Sequence, residues 1–205
     1  MILPQRAIIF LSCGLFFLCL FVGVKLSAGK LLWNDEILTQ LHSIQDKSYS
    51  QILKGKTFDN NKSPLFYLIQ KAYCDVFSFQ LDKGAWKYNN MLKDDSAQVF
   101  LRFTSNFYMS LSIVLIFFFF AKYHSLGAGV FAFVVAISSD MVWAYWVEAR
   151  PYSLWFLLTT AQSLLVLRAL QLENVSRKIF GGLVAVHVLL ALTFSICLAQ
   201  IFVAT

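Results

Sequence analysis

Five apolar runs of roughly twenty residues each, the length a helix needs to cross a bilayer, leave this chain little choice but to fold in a membrane. They cover residues 7–26, 103–121, 126–145, 151–170 and 179–203. Lipid offers no partner to a backbone N–H or C=O, so each run must satisfy its own hydrogen bonds as a helix. Composition agrees: 59% of the 205 residues are hydrophobic and 14% are charged, against about 25% charged in soluble domains. The expected fold is all-α, a polytopic membrane helical bundle of about five transmembrane helices forming a single membrane domain over residues 1–205. The first run is longer than a signal-peptide core and has no small-x-small cleavage site, so it reads as a retained anchor.

The net charge of +6 comes from Lys and Arg scattered through the polar connections. It forms no basic arm or face, which argues against nucleic acid and for phosphate or lipid headgroups as anionic partners. Arg6, Lys122, Arg168, Arg177 and Lys178 fall on one side of the expected topology. By the excess of Lys and Arg in cytoplasmic loops, the N-terminus is expected inside and the long connection 27–102 outside. Cys13, Cys19, Cys74 and Cys197 have no zinc or redox spacing and read as small core residues. His42, His124 and His187 are scattered and make no metal site.

The long connection is itself patterned. Asn34 is placed to cap a helix carrying Asp35 and Glu36 in its first turn, where the helix dipole favours acids. Ile37, Leu38, Leu41 and Ile44 follow on one face, as in an amphipathic juxtamembrane helix lying on the bilayer. Ser63-Pro64 opens a second element as N-cap and first helical residue, with Leu65, Leu68, Ile69, Ala72 and Val76 as its stripe.

This topology brings Asp35-Glu36 and Glu148-Ala149-Arg150 to the same side. Ionisable groups at a bundle boundary are costly unless paired or hydrated, which makes them functional candidates. A carboxylate there can serve as general base toward a hydroxyl, and Arg150, Arg102 or Lys62 can hold a phosphate. Plainer readings stand beside these: Asp35 and Glu36 as ordinary first-turn acids, Glu148 and Arg150 as span-ending charges, and Trp143, Tyr145, Trp146 and Tyr152 as an interfacial aromatic belt. Asp140, beside Ser138 and Ser139 near the end of the third run, reads as reaching the interface.

Four strings in order favour the functional reading: Trp33-Asn34-Asp35-Glu36, Ser63-Pro64-Leu65-Phe66-Tyr67, Leu101-Arg102-Phe103-Thr104-Ser105 and Glu148-Ala149-Arg150-Pro151-Tyr152. Together they resemble the acidic-pair, Pro-Pro-Leu-Tyr-Tyr, Arg-x-x-Ser and Glu-Ala-Arg-Pro-Tyr motifs of bacterial membrane glycosyltransferases of the C-type fold (GT-C), such as protein O-mannosyltransferases and lipid A aminoarabinose transferases. The resemblance implies a polyprenyl-phosphate sugar donor, a hydroxyl acceptor, inversion at the anomeric carbon and residence in the bacterial inner membrane. It makes Asp35 the base, Glu36 its support, and Arg102, Arg150 and Lys62 the donor-phosphate ligands, with Glu148, Tyr152 and Pro64 supporting. It requires no cofactor and leaves a divalent ion open. The string departs from the family at Ser63, where relatives have proline, and near Thr193-Phe194-Ser195, where they often carry histidine. Family members usually continue through several more spans, so the expectation is an N-terminal module completed by a later half or a partner chain. From other classes, the alternatives are a non-catalytic scaffold or subunit binding a polyprenyl lipid, an inactive truncated relative, or a small transporter, for which the runs offer few deep polar residues beyond Asp140 and Gln162.

Overall fold

The computed structural model describes residues 4–59, 61–84 and 95–194. All its regular structure is helical: α1 (Gln5–Ala28), α2 (Asn34–Leu38), α3 (Tyr49–Leu53), α4 (Leu65–Val76), α5 (Asp95–Tyr123), α6 (Leu126–Ile137), α7 (Asp140–Trp146), α8 (Tyr152–Leu170) and α9 (Arg177–Thr193). A wider π-helical stretch, Thr39–Gln45, continues α2. Helices α1, α5 and α8 are each long and apolar enough to cross a membrane, and α6 with α7 makes a fourth span if the bent pair is counted as one. The run expected at 179–203 is seen as α9, which stops at Thr193; residues 195–203 of that run lie outside the described residues.

The third run is not one continuous helix as expected. It bends by 69° between α6 and α7, at Ser138-Ser139. The Ser138 hydroxyl turns back to donate to the Val134 carbonyl at 2.7 Å, a competing bond that weakens the helical ladder, and serine pairs are a recognised cause of sharp kinks. Asp140 then opens α7 in its first turn, where the helix dipole favours an acid. Trp143 Nε1–H donates to the Ile137 carbonyl at 2.6 Å, satisfying one of the groups that the break would orphan.

The long helix α5 packs against α1, α6, α7 and α8. Two glycines set how closely its neighbours approach. A Cβ on Gly23 would stand 2.6 Å from Trp146 Nε1 and 3.1 Å from Asn106 Oδ1; one on Gly129 would meet Ala121 Cβ at 2.7 Å and the Phe117 carbonyl oxygen at 2.9 Å. Because the obstacles to Gly129 include α5 backbone, Gly129→Ala is expected to push α6 off α5 and cost about 1–3 kcal/mol. Gly14→Ala, with nothing among the described residues within 4 Å of the added carbon, serves as the control; thermal unfolding in detergent compares the two. Trp146 is thus not part of an interfacial belt as expected: it is 2% exposed and packs with Cys19, Met109, Ile113 and Val142.

The connection between α1 and α5 folds back onto the bundle. Ile37, Leu41 and Ile44 are buried as the amphipathic pattern requires, but their neighbours are protein: Leu101 and Ala149 for the first two, Tyr67, Leu154 and Leu158 for Ile44. In α4 the buried face is Phe66, Tyr67, Gln70 and Cys74, offset from the expected stripe, while Val76 is 77% exposed. The offset follows from Gln70, whose amide links α4 to α5: Nε2–H donates to the Leu101 carbonyl at 3.0 Å, and Oε1 accepts from the Thr104 hydroxyl at 2.7 Å. Pro64, one residue after the expected Ser63, holds the N-cap position of α4; Ser63 reaches toward α9. Its hydroxyl donates to the Ala191 carbonyl at 3.2 Å and the Asn61 amide donates to the Thr193 carbonyl at 3.0 Å, so this loop bonds carbonyls in the last turn of α9.

Candidate functional site

Helix α2 begins one residue earlier than its sequence suggests: Trp33, not Asn34, is the N-cap, and Asp35 and Glu36 are the second and third helical residues. The Trp33 N–H donates to Glu36 Oε2 at 2.9 Å, the return half of a capping box. Because adjacent helical residues point about 100° apart, Asp35 and Glu36 face different surroundings. Asp35 is exposed and Glu36 is buried.

Glu36 meets Arg102 of α5 in a two-point fork, Nε to Oε1 at 2.9 Å and Nη2 to Oε2 at 2.6 Å, with both side chains essentially inaccessible. The rest of the guanidinium is committed as well. Nη1 donates to the Ser27 carbonyl at 3.3 Å and to the Lys30 carbonyl, and Nη2 donates to the Leu31 carbonyl at 2.8 Å. Glu36 Oε1 also accepts from the Ala149 N–H at 2.7 Å. One buried ion pair therefore ties the end of α1, the start of α2, α5 and the α7–α8 link together. Near it the Asn106 amide donates to the Ser27 hydroxyl at 3.0 Å, holding α1 against α5 a turn deeper. All five Arg102 donors are used within the chain, so the phosphate role expected for it is not open in this arrangement.

Asp35 and Arg150 make the second, outer pair, with Nη1 to Oδ2 at 3.0 Å; Asp35 is 74% exposed and Arg150 only 19%. The guanidinium lies over the Tyr152 ring at 5.6 Å. Among the described residues its Nε is buried with no hydrogen-bond partner, a donor left to be satisfied by something else. Burial works against the Arg150 charge, but Tyr152, Asp59, Asp35 and Tyr67 outweigh it and hold its pKa above the usual value.

Asp59 was not singled out by sequence reasoning. It accepts the hydroxyls of Thr39 (3.0 Å to Oδ2), Ser43 (3.3 Å) and Tyr67 (3.0 Å), gathering the π-helical stretch and α4 around one carboxylate facing Arg150. Burial, then the Asp59 charge and hydrogen bond, push the Tyr67 pKa above its usual value, so Tyr67 stays a donor. No local pattern marks Asp59; only the fold brings its three hydroxyl partners together. Lys62 Nζ donates to the Thr57 and Asp59 carbonyls at 3.1 and 3.0 Å and closes this loop; among the described residues it makes no salt bridge. Pro64 stands at the head of α4.

Glu148 is half-buried beside the strut. Burial, followed by the Glu36 carboxylate, raises its pKa above the usual carboxylate value. A raised acid pKa means that its contribution to stability is complete below the ordinary carboxylate range and is lost as pH rises through the raised value. Glu148→Gln is therefore expected to unfold at a higher temperature than wild type at neutral pH, with the difference closing near about pH 4. A thermal melt at both pH values checks this.

Apolar spans joined at one end by a buried Glu–Arg strut and an exposed Asp–Arg pair define a helical membrane protein with an ionic site at the head of its bundle. Comparison with protein-family models, with curated proteins and with solved structures gives no match.

Proposed function

We propose that the chain is the membrane module of an inverting glycosyltransferase that takes a sugar from a polyprenyl-phosphate donor and passes it to a hydroxyl acceptor at the outer membrane face. The observation that carries this reading is the exposed Asp35 carboxylate ion-paired with Arg150, whose Nε has no hydrogen-bond partner among the described residues. A carboxylate open to solvent is accessible to an acceptor hydroxyl, and a neighbouring guanidinium with an unused donor suits a phosphate.

In this reading Asp35 takes the proton of the acceptor hydroxyl as its oxygen attacks the anomeric carbon. The bond from that carbon to the phosphate oxygen breaks, and the lipid phosphate leaves with the electron pair toward Arg150. Arg150 exchanges its bond with Asp35 for the phosphate as the donor arrives, which frees the base when it is needed. Glu36 and Arg102 hold the platform, and Asp59 and Tyr67 orient Arg150 from the other side. The five-span topology, with the N-terminus inside and α2 to α4 at the outer membrane boundary, belongs to this proposal, as does completion of the site by later helices or a partner chain.

A second reading, a lipid-binding scaffold without catalysis, draws on the same pair: a carboxylate neutralised by arginine is a weaker base. Transfer of labelled sugar from polyprenyl-phosphate donors, in membranes carrying wild type or Asp35→Asn, separates the two.

A further inference from the structure

The opposite end of the bundle holds a different feature. Helices α5, α8 and the start of α9 enclose an apolar groove of about 410 Å³, lined by Leu115, Phe118 and Phe119, by Leu164 and Leu165, and by Ile179. At its mouth Arg168 lies over the Tyr123 ring at 4.2 Å, and Lys122 Nζ lies 5.0 Å from the same ring and 5.4 Å from Phe118. Arg177 and Lys178 open α9 immediately before Ile179. Among the described residues none of these four cations makes a salt bridge. The only acid between α8 and α9 is Glu173.

We infer that this groove binds one anionic phospholipid, with an acyl chain between α5 and α8 and its phosphate headgroup among Arg168, Lys122, Arg177 and Lys178. A groove within the depth of the spans is filled by hydrocarbon rather than water, and the charge at its mouth selects the headgroup. Arg168 and Lys122 rest on aromatic rings, which hold them in place without neutralising them. A zwitterionic lipid would fill the groove equally well but leave four positive charges uncompensated. This site is separate from the Asp35–Arg150 pair and stands whether or not that pair is catalytic.

Native mass spectrometry of the full chain in detergent tests it, with phosphatidylglycerol and phosphatidylcholine of identical acyl chains added in turn. The expected result is one retained phosphatidylglycerol per chain and weaker retention of phosphatidylcholine. Arg168→Gln should weaken phosphatidylglycerol binding roughly fivefold, the effect of one basic residue at an anionic surface. Leu164→Trp, which fills the groove and keeps every charge, should also lose the lipid, whereas Arg6→Gln, a cation on α1, should leave it bound. Equal retention of the two lipids, or phosphatidylglycerol binding unchanged in both Arg168→Gln and Leu164→Trp, would overturn the inference.

Discussion

Arg102→Met is expected to lower stability by about 3–5 kcal/mol, the usual cost of leaving one partner of a buried ion pair alone. On a marginally stable fold, that is enough to deplete the folded protein in membranes. The substitution strands the Glu36 carboxylate and takes the guanidinium donors away from the Lys30 and Leu31 carbonyls. Arg102→Lys should not rescue it, because an ammonium lacks the planar fork that meets both carboxylate oxygens. An isolated buried ion pair can often be replaced by two apolar residues at little cost. Here the double variant Glu36→Met with Arg102→Met should remain at least as unstable as Arg102→Met, because the Trp33 and Ala149 N–H groups would then be unpaired as well. Thermal unfolding of the purified variants in detergent reads the difference; a double variant near wild-type stability would show that the pair does not organise the backbone.

Asp35→Asn is expected to act on the other side of the same turn, and on function only. If Asp35 is the general base, its amide cannot take the acceptor proton, and transfer should fall by roughly 10²- to 10⁴-fold. Its stability should barely change, since ion pairs with one exposed partner contribute about 0–1 kcal/mol. On the proposed function the adjacent acids are expected to separate, the buried one acting on folding and the exposed one on turnover. Transfer that persists in Asp35→Asn would remove the base and favour a different carboxylate. A chain with no transfer in either form favours the lipid-binding scaffold.

The sequence carried the outline of this arrangement because its strongest signals are local. Apolar runs of bilayer length marked α1, α5 and α8, and the acids at the head of α2 followed from the helix dipole. The division of labour within Asp35-Glu36 was not legible, because it depends on which acid turns toward Arg102, and that is set by packing. Asp59 was invisible for a similar reason, since its partners at positions 39, 43 and 67 meet only in the fold. The kink at Ser138-Ser139 lay in plain view, but the apolar residues on either side outweighed two serines in a reading based on hydropathy. The α4 stripe was misplaced by assuming that its most apolar face would be buried, whereas Gln70 turns inward to bond α5.

The central claim is that the link between α7 and α8 folds over the start of α2, bringing Asp35 and Arg150 together across more than a hundred residues of chain. Cross-linking tests it most directly. With the four native cysteines replaced by alanine, Asp35→Cys and Arg150→Cys are introduced together and treated in membranes with a short bismaleimide. The buried Glu36–Arg102 strut and the Ala149 N–H bond to Glu36 remain to hold the two positions near each other. The expected result is an intrachain cross-link between the peptides carrying positions 35 and 150, with no link when Asp35→Cys is combined instead with Arg177→Cys. Two introduced thiols that each react with a monofunctional maleimide but never cross-link would contradict it.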